Sequence, residues 1–108
     1  PRHAAYLGRF AGGCEERDRA YHQGTVWPWL TGFFVEAWLR AHGGKAEERA
    51  FLRELLDGFA ERLESQGLLH VSEVASGDPP HEPGGTIAQA WNSGEILRAY
   101  ELVESWPS

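Results

Sequence analysis

The sequence predicts an all-α fold. Two observations support this prediction: three stretches carry apolar residues at helical spacing, and the segments between them are rich in glycine, proline and polar residues that interrupt regular structure. We expect the principal helices near residues 28–42, 45–65 and 87–104, with a long irregular loop over residues 66–86. Residues 1–24 are expected to form a loop-rich lead-in with room for a short helical turn.

The first predicted helix begins near Pro28, which suits a first helical turn because its missing N–H has no partner to lose there. Gly43 and Gly44 mark its end. Its apolar residues recur at helical spacing and form one stripe, within which we expect Trp38 to be a core residue. The members of the stripe are Leu30, Phe33, Phe34, Ala37, Trp38 and Ala41.

The second predicted helix has one apolar face and one charged face, the pattern of a helix that packs on a core with its other side in water. The apolar face consists of Leu52, Leu55, Leu56, Phe59 and Leu63. In the loop that follows, Leu69, Val71 and Val74 indicate a short extended stretch. The glycines and prolines between residues 77 and 85 then exclude regular structure.

The third predicted helix starts after Thr86 and Gln89, which have the spacing of a capping box. Its apolar residues lie on several sides, so it needs neighbours on several sides, and three helices alone struggle to provide them. The sequence also contains no methionine, whereas a complete, unprocessed translation product begins with one. We therefore expect the chain to be a piece of a longer protein.

Composition excludes several classes of function. The chain has 16 acidic and 10 basic residues, a formal net charge of −6, and phosphate binding needs clustered Lys and Arg, so we expect no nucleic-acid partner. No apolar run approaches the roughly 20 residues of a membrane span, so we expect no membrane partner. Cys14 is the only cysteine, which excludes an intramolecular disulfide and favours a reducing, cytoplasmic location. No Cys/His spacing resembles a zinc site, and we expect no cofactor.

Three stretches combine aromatic rings with hydrogen-bonding groups: YHQGTVWPW at residues 21–29, VSEVASGDPPHEPGG at 71–85 and AQAWNSGEILRAY at 88–100. Such a combination suits a sugar, whose apolar face stacks on Trp or Tyr and whose hydroxyls need groups that donate and accept. The alternative is that the tryptophans are core residues and the polar groups pair with backbone. The candidate sugar contacts are Tyr21, His22, Gln23, Trp27, Trp29, Gln89 and Trp91.

From about Arg17 to Tyr100, these stretches resemble the end of the C-terminal glucosidase region of glycogen debranching enzymes. GDPPH followed by AQAW favours this family over glucoamylases and trehalases, which have similar Trp-rich loops. The resemblance implies the C-terminal portion of an (α/α)6 toroid of the glucoamylase-like type. It also implies removal of α-1,6-linked glucose at glycogen branch points by two carboxyl groups in an inverting mechanism.

Glu73 is the candidate general base, because the family's base lies a comparable short stretch before the QAW helix and the surrounding loop could hold a carboxylate still. Asp78, His81 and Glu82 are less specific, and an Asx-type turn before Pro79 is the alternative role of Asp78. The family's general acid lies well upstream of these motifs. We therefore expect it to be absent from this chain, with Asp18 not taking its place.

Three classes of function remain open. The first is an enzyme fragment that acts on α-glucan only with the missing N-terminal part of its domain and is inactive alone. The second is a free-standing helical carbohydrate-binding module, and the third is a structural or interaction domain. Excision from a toroid would uncover apolar faces, so we expect the isolated chain to self-associate, most simply as a symmetric dimer. Residues expected to be uncovered include several of Trp29, Phe33, Phe34, Trp38, Ile96, Tyr100 and Val103.

Overall fold

The computed structural model describes residues 3–66 and 69–107, and this part of the chain is mostly helical, which confirms the all-α prediction. The three principal helices lie within a few residues of their predicted bounds, and the lead-in contains a short additional helix. Residues 67 and 68 of the expected loop lie outside the described residues. In chain order the elements are α1 (Cys14–Ala20), α2 (Leu30–His42), α3 (Ala46–Gln66), β1 (Val74–Ala75), β2 (Pro83–Gly84) and α4 (Ala90–Ser105).

The core lies where α4 packs against both α2 and α3. Two apolar residues from each helix form one buried cluster, and each of them is at most 1% exposed. Burial of a Leu or Val side chain contributes about 1.5–3 kcal/mol, so this cluster is the main source of the fold's stability. Its members are Val35, Leu39, Leu52, Leu56, Ala99 and Val103.

Most of the apolar stripe of α2 is exposed in the structure. Leu30, Phe33 and Phe34 are 49%, 54% and 43% exposed, whereas the buried residues of α2 are Gly32, Val35 and Leu39. Because α2 is apolar on both sides, its periodicity alone does not decide which side faces α4.

The approach of α4 to Gly32 explains the choice of face. A side-chain carbon at Gly32 would lie 3.0 Å from the backbone oxygen of Glu95, so α4 packs on the side of α2 that has the smallest residue. Trp38 is half-buried and packs against the core cluster, as predicted. Of the residues expected to be uncovered, Phe33 and Phe34 are exposed. Trp29 and Tyr100 are half-buried, and Ile96 and Val103 are buried.

The predicted capping box at the start of α4 is wrong. The N-cap is Gln89 in extended backbone conformation, and its side chain makes no capping hydrogen bond. The backbone N–H and hydroxyl of Thr86 point to the carboxylate of Glu73 instead. A group that could have capped the helix is thus used to hold a neighbouring acid.

The other end of α4 is held by Arg49 of α3. Its guanidinium donates hydrogen bonds to the backbone oxygens of Val103, Glu104 and Trp106, and also to that of Gly44. The last carbonyls of a helix have no partner within it, and a cation there also suits the helix dipole. Arg49 therefore stabilises the end of α4 and fixes it to α3.

The loop between α3 and α4 is ordered by short backbone pairings. Strands β1 and β2 pair antiparallel, and Val26 forms a single bridge to Ala75 on the other side of β1. The prediction that no regular structure occurs between residues 77 and 85 is therefore wrong at Pro83–Gly84, where two residues pair with the extended stretch.

Side chains from the lead-in and from α3 hold the loop from both sides. Tyr6 donates its hydroxyl to Asp78, 3.2 Å away, and Asp78 donates its N–H to the oxygen of Gly8. On the other side, Arg62 of α3 donates to the backbone oxygens of Pro80 and His81. None of the described helices is long and apolar enough to cross a membrane.

Candidate functional site

The backbone of Glu73 is fixed on both sides of the residue. Its N–H donates to the oxygen of Thr86 at 2.9 Å. The side-chain amide of Asn92, in the first turn of α4, donates to the oxygens of Ser72 and Glu73 at 2.6 and 2.9 Å. Asn92 is completely buried. Its amide nitrogen is paired in this way, whereas its Oδ1 is buried without a hydrogen-bond partner among the described residues. The two hydrogen bonds of the nitrogen tie the first turn of α4 to the loop that carries Glu73.

The carboxylate of Glu73 accepts hydrogen bonds at both oxygens. The hydroxyl of Tyr21 donates to Oε1, and the N–H of Thr86 donates to Oε2 at 3.0 Å, with the Thr86 hydroxyl 3.4 Å away. These donors stabilise the charged form, so the Tyr21 and Thr86 hydrogen bonds hold the pKa of Glu73 below its usual range. Glu73 is therefore an ionised carboxylate in a fixed orientation at neutral pH.

Gly85 leaves space for this carboxylate. Its φ of +70° lies in the left-handed region that favours glycine. A side-chain carbon built there would lie 2.8 Å from Cβ of Glu73 and would also meet the carboxylate. The proline- and glycine-rich loop thus allows the backbone to pass close beside the acid.

Five aromatic rings form a connected group beside Glu73, which we call the tryptophan cluster. Its members are Tyr21, His22, Trp27, Trp29 and Trp91. The rings of His22 and Trp27 stack with centroids 5.3 Å apart, and those of Trp29 and Trp91 also stack at 5.3 Å. Trp27 and Trp91 meet edge to face at 6.5 Å, and this contact joins the two stacks.

The tryptophan cluster surrounds an apolar concavity of about 280 Å³. Its lining consists of His22, Trp27, Trp29, Leu30 and Trp91. Trp91 is 48% exposed, so a ring of considerable area is open to a ligand. The indole N–H of Trp27 donates to the backbone oxygen of Tyr21 at 2.9 Å, and His22 stacks on one face of its ring.

The structure brings together four of the seven candidate sugar contacts as the lining of this concavity. Tyr21 lies between the concavity and Glu73, because its ring packs on Trp27 with centroids 4.5 Å apart while its hydroxyl binds the carboxylate. Gln23 is exposed and Gln89 is half-buried, and neither lines the concavity. Glu73 does not line it directly and is connected to it through Tyr21.

A second concavity of about 260 Å³ lies between α3 and the loop, with Phe59, Leu63, His70 and Ile87 in its lining. None of the candidate sugar contacts lines it. His81 reaches it from the loop, but Nδ1 of His81 lies 3.0 Å from the oxygen of Ser76, which indicates a structural role for this ring. The chemistry of the site is therefore concentrated at Glu73 and the tryptophan cluster.

Sequence reasoning did not identify Asn92 and Thr86 as part of the site. A signal for Asn92 was present: it stands four residues before Ile96 and seven before Ala99, so it is a polar residue on the buried face of α4. For Thr86 the capping-box spacing favoured a different role. Which acid Thr86 contacts depends on the path of the loop, and this path is not encoded in any local spacing.

An ionised carboxylate with both oxygens held can accept a proton from a bound water, and an adjacent aromatic concavity can hold the apolar face of a pyranose.

Comparison with known proteins bears on this chemistry. No curated protein and no solved structure matches the chain. The family model described as amylo-alpha-1,6-glucosidase matches residues 1–98. The chain therefore belongs to the amylo-α-1,6-glucosidase family, the glucosidase region of glycogen debranching enzymes.

Proposed function

We propose that the chain is part of a glycoside hydrolase that removes α-1,6-linked glucose at glycogen branch points, with Glu73 as the general base of an inverting reaction. The observation that carries the proposal is the carboxylate of Glu73, which is oriented by Tyr21 and Thr86 beside the tryptophan cluster. A general base must be ionised and within reach of the water that it activates. The lowered pKa of Glu73 meets the first requirement.

In the proposed reaction, Glu73 accepts a proton from water as the water attacks the anomeric carbon of the terminal glucose. A second carboxyl group protonates the glycosidic oxygen as its bond to that carbon breaks. Inverting enzymes hold the two carboxyl groups about 6.5–9.5 Å apart so that the water fits between substrate and base. We propose that the second group comes from another part of the domain, so the 108-residue chain is inactive by itself.

The tryptophan cluster is the proposed binding platform for the glucose ring. Trp91 and Trp29 offer stacked ring surfaces, and His22 supplies a group that can donate to or accept from a sugar hydroxyl. We also propose Gln23 and Gln89 as partners of sugar hydroxyls. Gln23 follows His22 in the sequence, and Gln89 stands two residues before Trp91. The substrate class is an α-glucan such as glycogen or its limit dextrin.

We further propose that the rest of the same domain covers the exposed side of α2 in the parent protein. Leu30, Phe33 and Phe34 form a run of exposed large apolar residues there, and Leu97 of α4 is 70% exposed. Contiguous apolar surface of this kind marks an interface. In the isolated chain a second copy would take that place.

A carbohydrate-binding module without catalysis is the second candidate, because the concavity is formed within the described residues and needs no second carboxyl group. Calorimetric titration of the isolated chain with isomaltose tests it. Tight binding by a monomeric chain would favour the module.

The anomeric configuration of the first glucose released tests the proposed inverting reaction. Proton NMR during digestion of phosphorylase limit dextrin by a full-length family member containing this segment should show β-glucose before mutarotation. Initial release of α-glucose would contradict the inverting assignment, and no release of glucose would contradict the proposed activity.

A further inference from the structure

Tyr21 was expected to contact sugar, but its surroundings indicate another role. Its ring is enclosed by three others, with centroid distances of 4.5 Å to Trp27, 5.0 Å to His22 and 5.7 Å to Phe10. It is half-buried and does not line the aromatic concavity. Little of the ring is left for stacking on a pyranose.

The position of the Tyr21 hydroxyl is set by the backbone and by this packing. The residue follows α1 directly, and its N–H continues the helical pattern by donating to the oxygen of Arg17 at 2.9 Å. Its own oxygen accepts the indole N–H of Trp27. With the backbone held at both groups and the ring held by its neighbours, the hydroxyl is directed to Oε1 of Glu73.

We propose that Tyr21 is a positioning residue for the general base, orienting the Glu73 carboxylate through its hydroxyl, and that it is not a ligand of the sugar. This inference rests on the proposed function, in which Glu73 accepts a proton from water. With Oε1 held by Tyr21 and Oε2 held by Thr86, the carboxylate has one orientation. Its remaining lone pairs are available to a water on the substrate side.

The same contact acts on the charge of the base. Donation from Tyr21 is the largest cause of the lowered pKa of Glu73, and the N–H of Thr86 is the next. The Tyr21 hydroxyl in turn has a raised pKa, first because of its hydrogen bond to Glu73, then because of burial, and to a smaller extent because of Asp18 on α1, so it remains a proton donor. His22, the other titratable ring against Tyr21, stacks on Trp27. Loss of the hydroxyl therefore raises the pKa of Glu73.

Tyr21→Phe tests the proposal because it keeps the ring and its packing and removes only the donor. Tyr100→Phe is the matched control, since the Tyr100 hydroxyl faces another carboxylate, Asp57, at 3.4 Å. In the isolated chain, a carbon-13 NMR titration should show a higher pKa for Glu73 in Tyr21→Phe than in the wild type. Tyr100→Phe should leave it unchanged. An unchanged pKa in both variants would overturn the proposal.

Kinetics in a full-length enzyme containing this segment give the second readout. We expect Tyr21→Phe to lower kcat about 10- to 150-fold, on the scale of one lost hydrogen bond to a charged group. KM should stay the same, and the acidic limb of the pH profile should move to higher pH. A raised KM with unchanged kcat would instead show a sugar ligand and overturn the proposal.

A double-mutant cycle keeps the test valid if the single variant is partly unfolded. Once Glu73 is Gln, the orientation of a proton acceptor no longer matters, so adding Tyr21→Phe should have little further effect on turnover. An additive loss would mean that Tyr21→Phe acts through stability. If the pKa shift is present and the enzyme has no glucosidase activity, the proposed function fails while the contact stands. If Glu73→Gln abolishes activity and Tyr21→Phe shifts nothing, only the positioning role fails.

Discussion

The chain contains two aromatic clusters that resemble each other in composition. In the tryptophan cluster, His22 stacks on Trp27 near the carboxylate of Glu73. In a second group, the α2–α3 cluster, His42 stacks on Trp38 at 4.4 Å, near the carboxylate of Glu48. The rest of the α2–α3 cluster consists of Phe34 and Phe51.

The two clusters differ in how the hydrogen bonds of the carboxylate are used. Glu48 accepts the indole N–H of Trp38 at 2.6 Å, so this acid serves to pair a tryptophan. The indole N–H of Trp27 is paired with a backbone oxygen instead, and Glu73 is held by Tyr21 and Thr86. The α2–α3 cluster lines neither of the concavities described above. Residue types alone therefore do not distinguish the two clusters, whereas the hydrogen-bond partners of the carboxylate do.

The largest expected effect is on turnover. In a full-length enzyme, Glu73→Gln should lower kcat by about 10²- to 10⁴-fold, the usual contribution of a general base, with little change in KM because size and hydrogen bonding are kept. Glu48→Gln is the control in the other cluster and should leave kcat close to that of the wild type. Reducing-sugar assays on limit dextrin measure both. Near-normal turnover of Glu73→Gln would remove the assignment.

Loss of the buried amide behind Glu73 should have the next largest effect. Asn92→Ala leaves the oxygens of Ser72 and Glu73 without this donor and should lower the free energy of unfolding by about 1–3 kcal/mol. Ser93→Ala is the control next to it, because the Ser93 hydroxyl is buried with no hydrogen-bond partner in the part of the chain that the structure describes. Urea unfolding compares the two. Equal losses would show that Asn92 has no special role.

Removal of an open ring should weaken glucan binding and little else. Trp91→Ala in a full-length enzyme should cost about 1–2 kcal/mol of stacking, roughly 5- to 30-fold in affinity. Phe51→Ala removes a ring of similar exposure, 42% against 48% for Trp91, from the α2–α3 cluster and should leave affinity unchanged. Calorimetric titration with an α-1,6-branched oligosaccharide distinguishes them. The same loss in both variants would mean that the clusters are not functionally different.

The last prediction concerns self-association of the isolated chain, which would double its mass. The isolated chain should self-associate through the exposed side of α2, and Phe34→Asp should shift the equilibrium to monomer because a charge there opposes apolar burial. Ala11→Asp adds the same charge at an exposed position of the lead-in and should not. Light scattering coupled to size exclusion measures both. A folded monomeric wild-type chain with cooperative unfolding would contradict this prediction.

Much of the fold follows from local patterns in the sequence. The three long helices and the apolar face around Leu52 and Leu56 were predicted, because periodicity reports which residues can share a face. The buried side of α2 was not predicted, because that helix is apolar on two sides. Which side faces the core depends on the close contact between Gly32 and Glu95.

The candidate site also has residues that the sequence predicted and contacts that it did not. Glu73 and the tryptophans could be selected from the sequence because their motifs resemble those of a family. The hydrogen bonds that hold Glu73 and its loop join residues that are far apart in the sequence. Tyr21 and Glu73 are separated by 52 positions, and Asn92 and Ser72 by 20. No short-range spacing encodes such pairs, so Thr86 and Asn92 became visible only in three dimensions.

The tie between Asn92 and the loop has a consequence for synthesis of the chain. A ribosome adds about 5–20 residues per second from the N-terminus, so Glu73 emerges before the helix that fixes its backbone. A nascent chain that ends before α4 contains the acid and Tyr21, but the oxygens of Ser72 and Glu73 have not yet met the amide of Asn92. The backbone of Glu73 is therefore fixed on both sides only after α4 has docked on the loop.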